Sequence, residues 1–188
     1  MLPDLTTPRL LLRAATGGDV DALWRLLTDP QVRRYLCDDR ILTRAEVQEL
    51  LAESMTHWPA GMGLWLLSDG GHECLGCVGL HPVSRGIVDH APGLEGEIEP
   101  TIALTPACWG RGYATEALLA AASYAVETLG LERLVAVVDA PNEASHRLMI
   151  RVGFTSTGGT ATGPCYPLRT YRLTRAEFAA RDAARPGA

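Results

Sequence analysis

The stretch Cys108-Trp109-Gly110-Arg111-Gly112-Tyr113-Ala114-Thr115-Glu116-Ala117 stands between a predicted strand and a long predicted helix. Its two glycines, one residue apart, let the backbone turn tightly and let a ligand approach it closely. The first turn of the following helix then presents unpaired N–H groups and the positive end of the helix dipole. The stretch therefore predicts an anion site, most naturally for phosphate or pyrophosphate. A tight strand-to-helix turn without a ligand is the alternative interpretation.

The segments on either side of this turn are a strand and a helix. Residues 97–104 alternate well enough for a strand, and Thr105-Pro106 ends it. Pro100 marks an edge or a bulge in that strand, because proline cannot donate to a sheet ladder. Residues 113–129 are rich in Ala and Leu with one continuous apolar face, which predicts a helix that Gly130 ends.

The remaining segments alternate between strands and helices. Residues 9–13 predict a first strand, and residues 64–67 and 74–80 predict a hairpin around Asp69-Gly70-Gly71. Capping boxes at Thr43–Glu46 and Thr174–Glu177 open two helices. Residues 134–138 form the strongest strand pattern, and a helix follows from about Glu143. Residues 155–164 predict a polar loop, and residues 168–173 predict a last strand. The pattern indicates a mixed α/β protein.

Length and composition narrow the class of protein. A chain of 188 residues predicts a single domain, here residues 1–178, with residues 179–188 as a frayed tail. A net charge of −5 argues against a general nucleic-acid binder. There is no apolar run long enough to cross a membrane and no pattern of a signal peptide, so we expect a cytoplasmic protein without a membrane partner.

The five cysteines do not predict a disulfide framework or a metal site. Their number is odd and their spacing is scattered. Cys74-Leu75-Gly76-Cys77 has the C-x-x-C form, but no second pair of cysteines or histidines completes a zinc site. We therefore expect reduced thiols and no bound metal.

Three segments together resemble one known family. They are Arg9-Leu10-Leu11-Leu12-Arg13, residues 99–117, and Asn142-x-x-Ser145 leading to Gly153-Phe154. Their order and separations resemble the GNAT superfamily of N-acetyltransferases. Within it, Trp-Gly-Arg-Gly-Tyr-Ala-Thr-Glu-Ala at residues 109–117 is most similar to the branch that acetylates the N-termini of ribosomal proteins. The resemblance implies a mixed α/β (α+β) fold. Its central sheet would be mostly antiparallel, with a splayed and bulged strand and with helices on both faces.

The resemblance also implies a cofactor, acetyl-CoA, and the residues that bind it. The pyrophosphate would lie on backbone N–H groups of the turn, which here belong to Arg111, Gly112, Tyr113, Ala114 and Thr115. The pantetheine arm would pair with the strand before the turn, at Ile102, Ala103 and Leu104. Asn142 would hydrogen-bond the same arm, although capping its own helix is an equally good role.

Two proton-transfer roles follow from the reaction that the resemblance implies. An amine must lose a proton to attack a thioester, and Glu99 matches the glutamate that the family carries on this strand. Glu97 has the same strand parity and is the alternative base. The leaving thiolate needs a proton; many relatives use a tyrosine, but this chain has Met149 at that position. Ser145 is the nearest remaining hydroxyl, and a bound water competes with it.

The sequence thus predicts an N-acetyltransferase that moves the acetyl group from acetyl-CoA to a primary amine by direct transfer in a ternary complex. The acceptor is an amine-bearing molecule: a protein N-terminus, or alternatively an aminoglycoside, a polyamine or a metabolite. A CoA-binding module without catalysis is the competing function, because of Met149. Dimers are common in the family, so a homodimer is among the expected states.

Overall fold

The computed structural model describes residues 1–71 and 73–183. Eight strands are present in this part of the chain: β1 Leu5–Thr6, β2 Leu11–Ala14, β3 Gly63–Ser68, β4 Gly76–Pro82, β5 Ile98–Leu104, β6 Arg133–Asp139, β7 Thr155–Thr162 and β8 Pro167–Thr174. Seven α-helices accompany them: α1 Val20–Thr28, α2 Pro30–Arg33, α3 Arg44–Thr56, α4 Arg85–Val88, α5 Tyr113–Ser123, α6 Glu143–Val152 and α7 Arg175–Ala183. The mixed α/β class with antiparallel strands is confirmed.

The chain divides into two compact units. The first comprises residues 1–81 and 101–121, and the second comprises residues 82–100 and 122 onward. Strand β5 begins in the second unit and ends in the first. The sheet that belongs to the first unit has the order β1-β2-β3-β4-β5. The predicted hairpin is confirmed, since β3 pairs antiparallel with β4 from Gly63↔Leu80 to Leu67↔Gly76.

Helices α1 and α3 cover a hydrophobic core in the first unit. The predicted capping box opens α3, because the side chain of Thr43 accepts from the N–H of Glu46 and the Glu46 carboxylate accepts from the N–H of Thr43. Val47 and Leu51 of this helix are fully buried. The core also contains residues of α1, β3, β4 and β5, namely Leu23, Leu26, Leu27, Leu64, Leu66, Cys77 and Ala103.

The second unit contains a three-stranded antiparallel sheet with the order β6-β8-β7. Strand β6 pairs with β8 along its whole length, from Arg133↔Thr174 to Asp139↔Leu168. Leu134 on β6 and Leu173 on β8 are fully buried. This confirms the two strands that were predicted from their β-branched and apolar runs.

The prediction of a loop at residues 155–164 is wrong, because residues 155–162 form strand β7. This strand pairs with β8 and carries a register shift between Ser156 and Thr160, where Gly158 has a φ of +72°. Nearly all of β7 is exposed, since it lies at the edge of its sheet. An edge strand with two polar faces lacks the alternation that identifies strands in a sequence, although its threonines favour extended backbone.

Two helix boundaries differ from the sequence pattern. The predicted helix at residues 113–129 is α-helical only to Ser123 and continues as a π-helical turn over Tyr124–Thr128. Gly130 follows with a φ of +71°, consistent with its predicted role at the helix end. Helix α7 runs to Ala183, and the last five residues of the expected tail lie outside the described residues.

Candidate active site

The turn between β5 and α5 has the left-handed backbone that its glycines allow. Gly110 has a φ of +72° and Gly112 a φ of +81°, values that side-chain-bearing residues rarely adopt. The indole Nε1 of Trp109 donates to the carbonyl oxygen of Leu104 at 2.8 Å, which joins the turn to the end of β5.

Five backbone N–H groups at this turn are free to bind an anion. Within the described residues, the N–H groups of Arg111, Gly112, Tyr113, Ala114 and Thr115 donate to no acceptor, and the first helical hydrogen bond runs from Glu116 to Gly112 at 3.1 Å. Unpaired donors at the start of an eleven-residue helix attract negative charge. The five positions are those that the resemblance implied for pyrophosphate, and their geometry fits that group.

Strand β5 leaves one edge unpaired among the described strands, since it is the last strand of its sheet. The N–H of Thr105 donates to Leu75 on the β4 side, so the backbone of Ile102 and Leu104 faces the other way. Consistently, the Leu104 carbonyl accepts from Trp109 and not from β4. The carbonyl oxygen of Ala103 lies against Gly76, where an added Cβ would be only 2.2 Å away. Ile102 and Leu104 therefore offer polar groups to a ligand, whereas the backbone of Ala103 faces β4.

Glu99 is a buried carboxyl group on the same strand. Glu99 is 7% exposed, and this burial raises the pKa of its carboxyl group to about 7. A hydrogen bond from the backbone of Ser84 lowers the pKa, but by less than burial raises it. No cation pairs with Glu99 within the described residues. A carboxyl group with a pKa near neutrality can accept a proton from an amine at physiological pH.

Glu97 has a different environment. Arg133 donates to both of its oxygens, with Nε at 3.0 Å from Oε1 and 2.9 Å from Oε2, and Nη2 also contacts Oε1. These hydrogen bonds hold the pKa of Glu97 below its usual range, although burial opposes them. An ion-paired carboxylate with a lowered pKa is a weak base, so the environments of Glu97, the alternative base, and Glu99, the expected base, differ although their strand parity is the same.

Helix α6 carries the two remaining predicted residues at its start. The Oδ1 atom of Asn142 accepts from the N–H of Ser145 at 3.1 Å, so Asn142 caps the helix and keeps its amide NH₂ for other partners. The Oγ of Ser145 has no partner among the described residues, and the side chain is partly exposed. Met149, one turn further, is buried at 3% exposure and offers no proton.

A buried histidine and tyrosine join α6 to β8. Nδ1 of His146 lies 2.7 Å from Oη of Tyr171, and Nε2 lies 3.1 Å from the carbonyl oxygen of Ala140. A carbonyl can only accept, so Nε2 carries the proton, Nδ1 accepts, and Tyr171 donates. This pair could not be predicted from local sequence patterns, because its members lie on different elements 25 positions apart.

The predicted residues are divided between the two units. The first unit contains the turn and Ile102, Ala103 and Leu104, and the second contains Glu99, Asn142 and Ser145. No group of three or more potential metal ligands exists among the residues that the structure describes. Within the same residues, no helix is long and apolar enough to span a bilayer. None of the five cysteines forms a disulfide.

These features define a class of protein: one with unpaired backbone donors at a strand-to-helix turn and a buried carboxyl group on the strand that precedes it. Comparison with known proteins identifies the family. Residues 9–155 match the family described as the acetyltransferase (GNAT) domain. The match covers most of the chain, so the protein belongs to the GNAT family. It is an acetyl-CoA-dependent N-acetyltransferase.

Two relatives support the assignment. The chain is 28% identical over 160 residues to the uncharacterized N-acetyltransferase YoaA of Bacillus subtilis (strain 168), covering 84% of this chain and 86% of that protein. It is 43% identical over 82 residues to the human alpha/beta-tubulin-N-acetyltransferase 9, covering 44% of this chain and only 38% of that protein.

Solved structures share the fold. RimL, a ribosomal L7/L12 alpha-N-protein acetyltransferase in complex with coenzyme A, is 18% identical with a TM-score of 0.74 over 92% of this chain and 98% of that chain. The aminoglycoside acetyltransferase AAC(6′)-Ib in complex with coenzyme A is also 18% identical with a TM-score of 0.74, over 92% of this chain and 99% of that one. Proteins with different acceptors thus share this fold, and the ribosomal-protein branch is not singled out.

Proposed function

We propose that this acetyltransferase acts on a primary amine of a protein, in the manner of the N-terminal acetyltransferase branch, by direct transfer in a ternary complex. The observation that carries the donor half of the proposal is the set of five free N–H groups at residues 111–115. Unpaired N–H groups at a helix start attract the negative charge of a pyrophosphate. The outward-facing backbone of Ile102 and the N–H of Leu104 suit the amides of the pantetheine arm.

Glu99 is the proposed general base. Acetyl-CoA supplies the acetyl group as a thioester, and the acceptor nitrogen forms a bond to the carbonyl carbon while the carbon–sulfur bond breaks. Glu99 takes the proton that the nitrogen loses, directly or through water. Its carboxyl group is buried and has no cation beside it among the described residues, which supports this role, whereas the ion pair with Arg133 argues against Glu97.

Ser145 is the proposed donor of the proton that the departing sulfur takes up. Its hydroxyl has no competing partner among the described residues, and Asn142 fixes the first turn of the helix that carries it. A water molecule is the alternative donor. The amide NH₂ of Asn142 remains available to a carbonyl of the pantetheine arm.

A protein acceptor is favoured over a small molecule by the relatives. The 43% identical segment belongs to an acetyltransferase named for tubulin, whereas the aminoglycoside enzyme shares the fold at 18% identity. We further propose a cytoplasmic location, which suits five cysteines that form no disulfide, and a homodimer as the assembly.

Two measurements test the proposal. Calorimetry with CoA measures donor binding alone, and release of the CoA thiol is then followed across a panel of peptides with free N-termini, their N-blocked counterparts, and small amines. We expect turnover with free peptides and none with the blocked forms. Turnover restricted to aminoglycosides or polyamines would overturn the protein acceptor.

A second candidate function is a CoA-binding module without catalysis, favoured by the buried Met149 at the position where many relatives carry a tyrosine. CoA binding without thiol release across the whole panel would establish this alternative. A ping-pong kinetic pattern would instead contradict direct transfer.

A further inference from the structure

The carboxylate of Glu116, on the first turn of α5, is held by the N-terminal segment of the chain. Its Oε1 accepts from Thr7 Oγ1 at 2.6 Å and from the N–H of Arg9 at 3.0 Å. Its Oε2 accepts from Arg9 Nε at 2.7 Å and pairs with Nη2 at 2.5 Å. Burial raises the pKa of Glu116, but the hydrogen bonds from Thr7 and Arg9 outweigh it and hold the pKa below its usual range.

The same arginine reaches the turn itself. Arg9 Nη1 donates to the carbonyl oxygen of Arg111 at 3.0 Å, and its guanidinium carbon lies 4.8 Å from the ring centre of Tyr113. A Cβ at Gly112 would lie 3.4 Å from Nη2 of Arg9. One guanidinium therefore binds Glu116, the Arg111 carbonyl and the face of Tyr113 together.

The Arg9 contact and the first helical hydrogen bond each fix the direction of one free N–H group. In a planar trans peptide the C=O and the next N–H point in opposite directions. Arg9 holds the Arg111 carbonyl, so the N–H of Gly112 points away from Arg9. The backbone N–H of Glu116 donates to the Gly112 carbonyl at 3.1 Å. The N–H of Tyr113, which belongs to the same peptide as that carbonyl, therefore points in the opposite direction.

We infer that Thr7, Arg9 and Glu116 form a clamp that positions the turn for pyrophosphate through the Arg111 carbonyl, although none of them needs to contact the ligand. The inference rests on the proposed donor site at residues 111–115. The turn needs an external support, because left-handed glycines on both sides of Arg111 leave its peptides many conformations. The clamp supplies it from a segment more than a hundred positions away, with Arg9 and Glu116 separated by 107.

A purely structural ion pair is the competing interpretation, and the chain contains a matched control. Arg13 pairs with Asp19 in the same unit, with Nη2 at 2.7 Å from Oδ1 and Nη1 at 3.1 Å from Oδ2. The side-chain exposures are 45% and 15%, against 49% and 16% for Arg9 and Glu116. The control pair lies within six positions and Asp19 also closes a capping box with Thr16, but within the described residues Arg13 makes no contact with the turn.

The experiment compares Glu116→Gln and Arg9→Met with Asp19→Asn and Arg13→Met. Calorimetry measures the Kd for CoA and for 3′-dephospho-CoA, which both carry pyrophosphate, and an NMR titration measures the Kd for pantetheine, which carries none. We expect the clamp variants to bind CoA and dephospho-CoA about tenfold more weakly, the change for one misaligned hydrogen bond to a charged group. Pantetheine affinity stays unchanged in every variant, and the control pair binds all three ligands as wild type.

Thermal melting and a second series separate folding from positioning. Thr7→Val removes one contact to Glu116, and Arg9→Lys keeps the charge but loses the planar fork. Both should weaken CoA relative to pantetheine while melting no earlier than the Arg13 and Asp19 variants. Equal CoA affinity in clamp and control variants, or equal losses for CoA and pantetheine, would overturn the clamp. A wild-type protein that binds no CoA would instead overturn the proposed donor site.

Discussion

Replacing Glu99 by Gln tests whether the buried carboxyl group is the base. The substitution keeps the shape and removes the ionisation, so CoA affinity should not change. We expect kcat/KM at neutral pH to fall by about a hundredfold or more, the typical contribution of a general base. In the wild type, kcat/KM should rise with pH and level off above a pKa of about 7, the value to which burial raises Glu99.

The same pKa predicts an effect on stability that does not depend on catalysis. The ordinary pKa of 4.5 is raised to about 7 in the folded protein, and this costs the ionised folded state about 3 kcal/mol. Between these two values the folded chain binds the proton more tightly than the unfolded chain, so stability falls as pH rises. The stabilisation is complete below about pH 4.5 and is lost above about pH 7.

The assay pairs Glu99→Gln with Glu97→Gln, since the ion pair with Arg133 makes Glu97 a poor base. Urea denaturation at about pH 4 and about pH 8 should show the wild type losing about 3 kcal/mol relative to Glu99→Gln over this range. Thiol release should show Glu97→Gln close to wild type. An unchanged pH–rate profile in Glu99→Gln would refute its role as base, and a stability difference independent of pH would refute the raised pKa.

Three further substitutions test other parts of the site. Gly112→Ala places a side chain at a φ of +81°, which costs about 1–2 kcal/mol. We therefore expect calorimetry to show weaker CoA binding. Gly17→Ala is the control, because the surroundings of Gly17 are open. Ser145→Ala should lower kcat without changing the Kd for CoA, and an unchanged kcat would assign the sulfur's proton to water. Tyr171→Phe leaves Nδ1 of His146 without its donor, so unfolding by urea should require about 1–3 kcal/mol less; wild-type stability would contradict the proton positions assigned to this pair.

Much of the fold could be predicted from local patterns. The β3–β4 hairpin and the capping box of α3 depend on residues that are close in sequence, so the chain specifies them wherever they lie. Strand β7 could not be predicted, because neither of its faces is buried and its sequence therefore lacks the alternation of apolar and polar residues. Its extended conformation depends instead on pairing with β8.

The candidate site was predicted only in part for a related reason. The turn at residues 109–115 is local, and the structure bears out its left-handed glycines and its free N–H groups. The difference between Glu97 and Glu99 is not local: strand parity made the two carboxylates equivalent. Their environments differ because Arg133 lies beside Glu97, whereas Glu99 is enclosed without a cation.

The sequence by itself therefore determined the turn and its unpaired donors, because two glycines and a helix start are sufficient to expose them. Only the tertiary structure decided how that turn is held and which of the two carboxyl groups has a raised pKa. Both depend on partners from other parts of the chain: Arg9 reaches Glu116 across 107 positions, and Arg133 pairs with Glu97 across 36. A pKa and a backbone orientation depend on what surrounds a group in space, and that is fixed only when the chain folds.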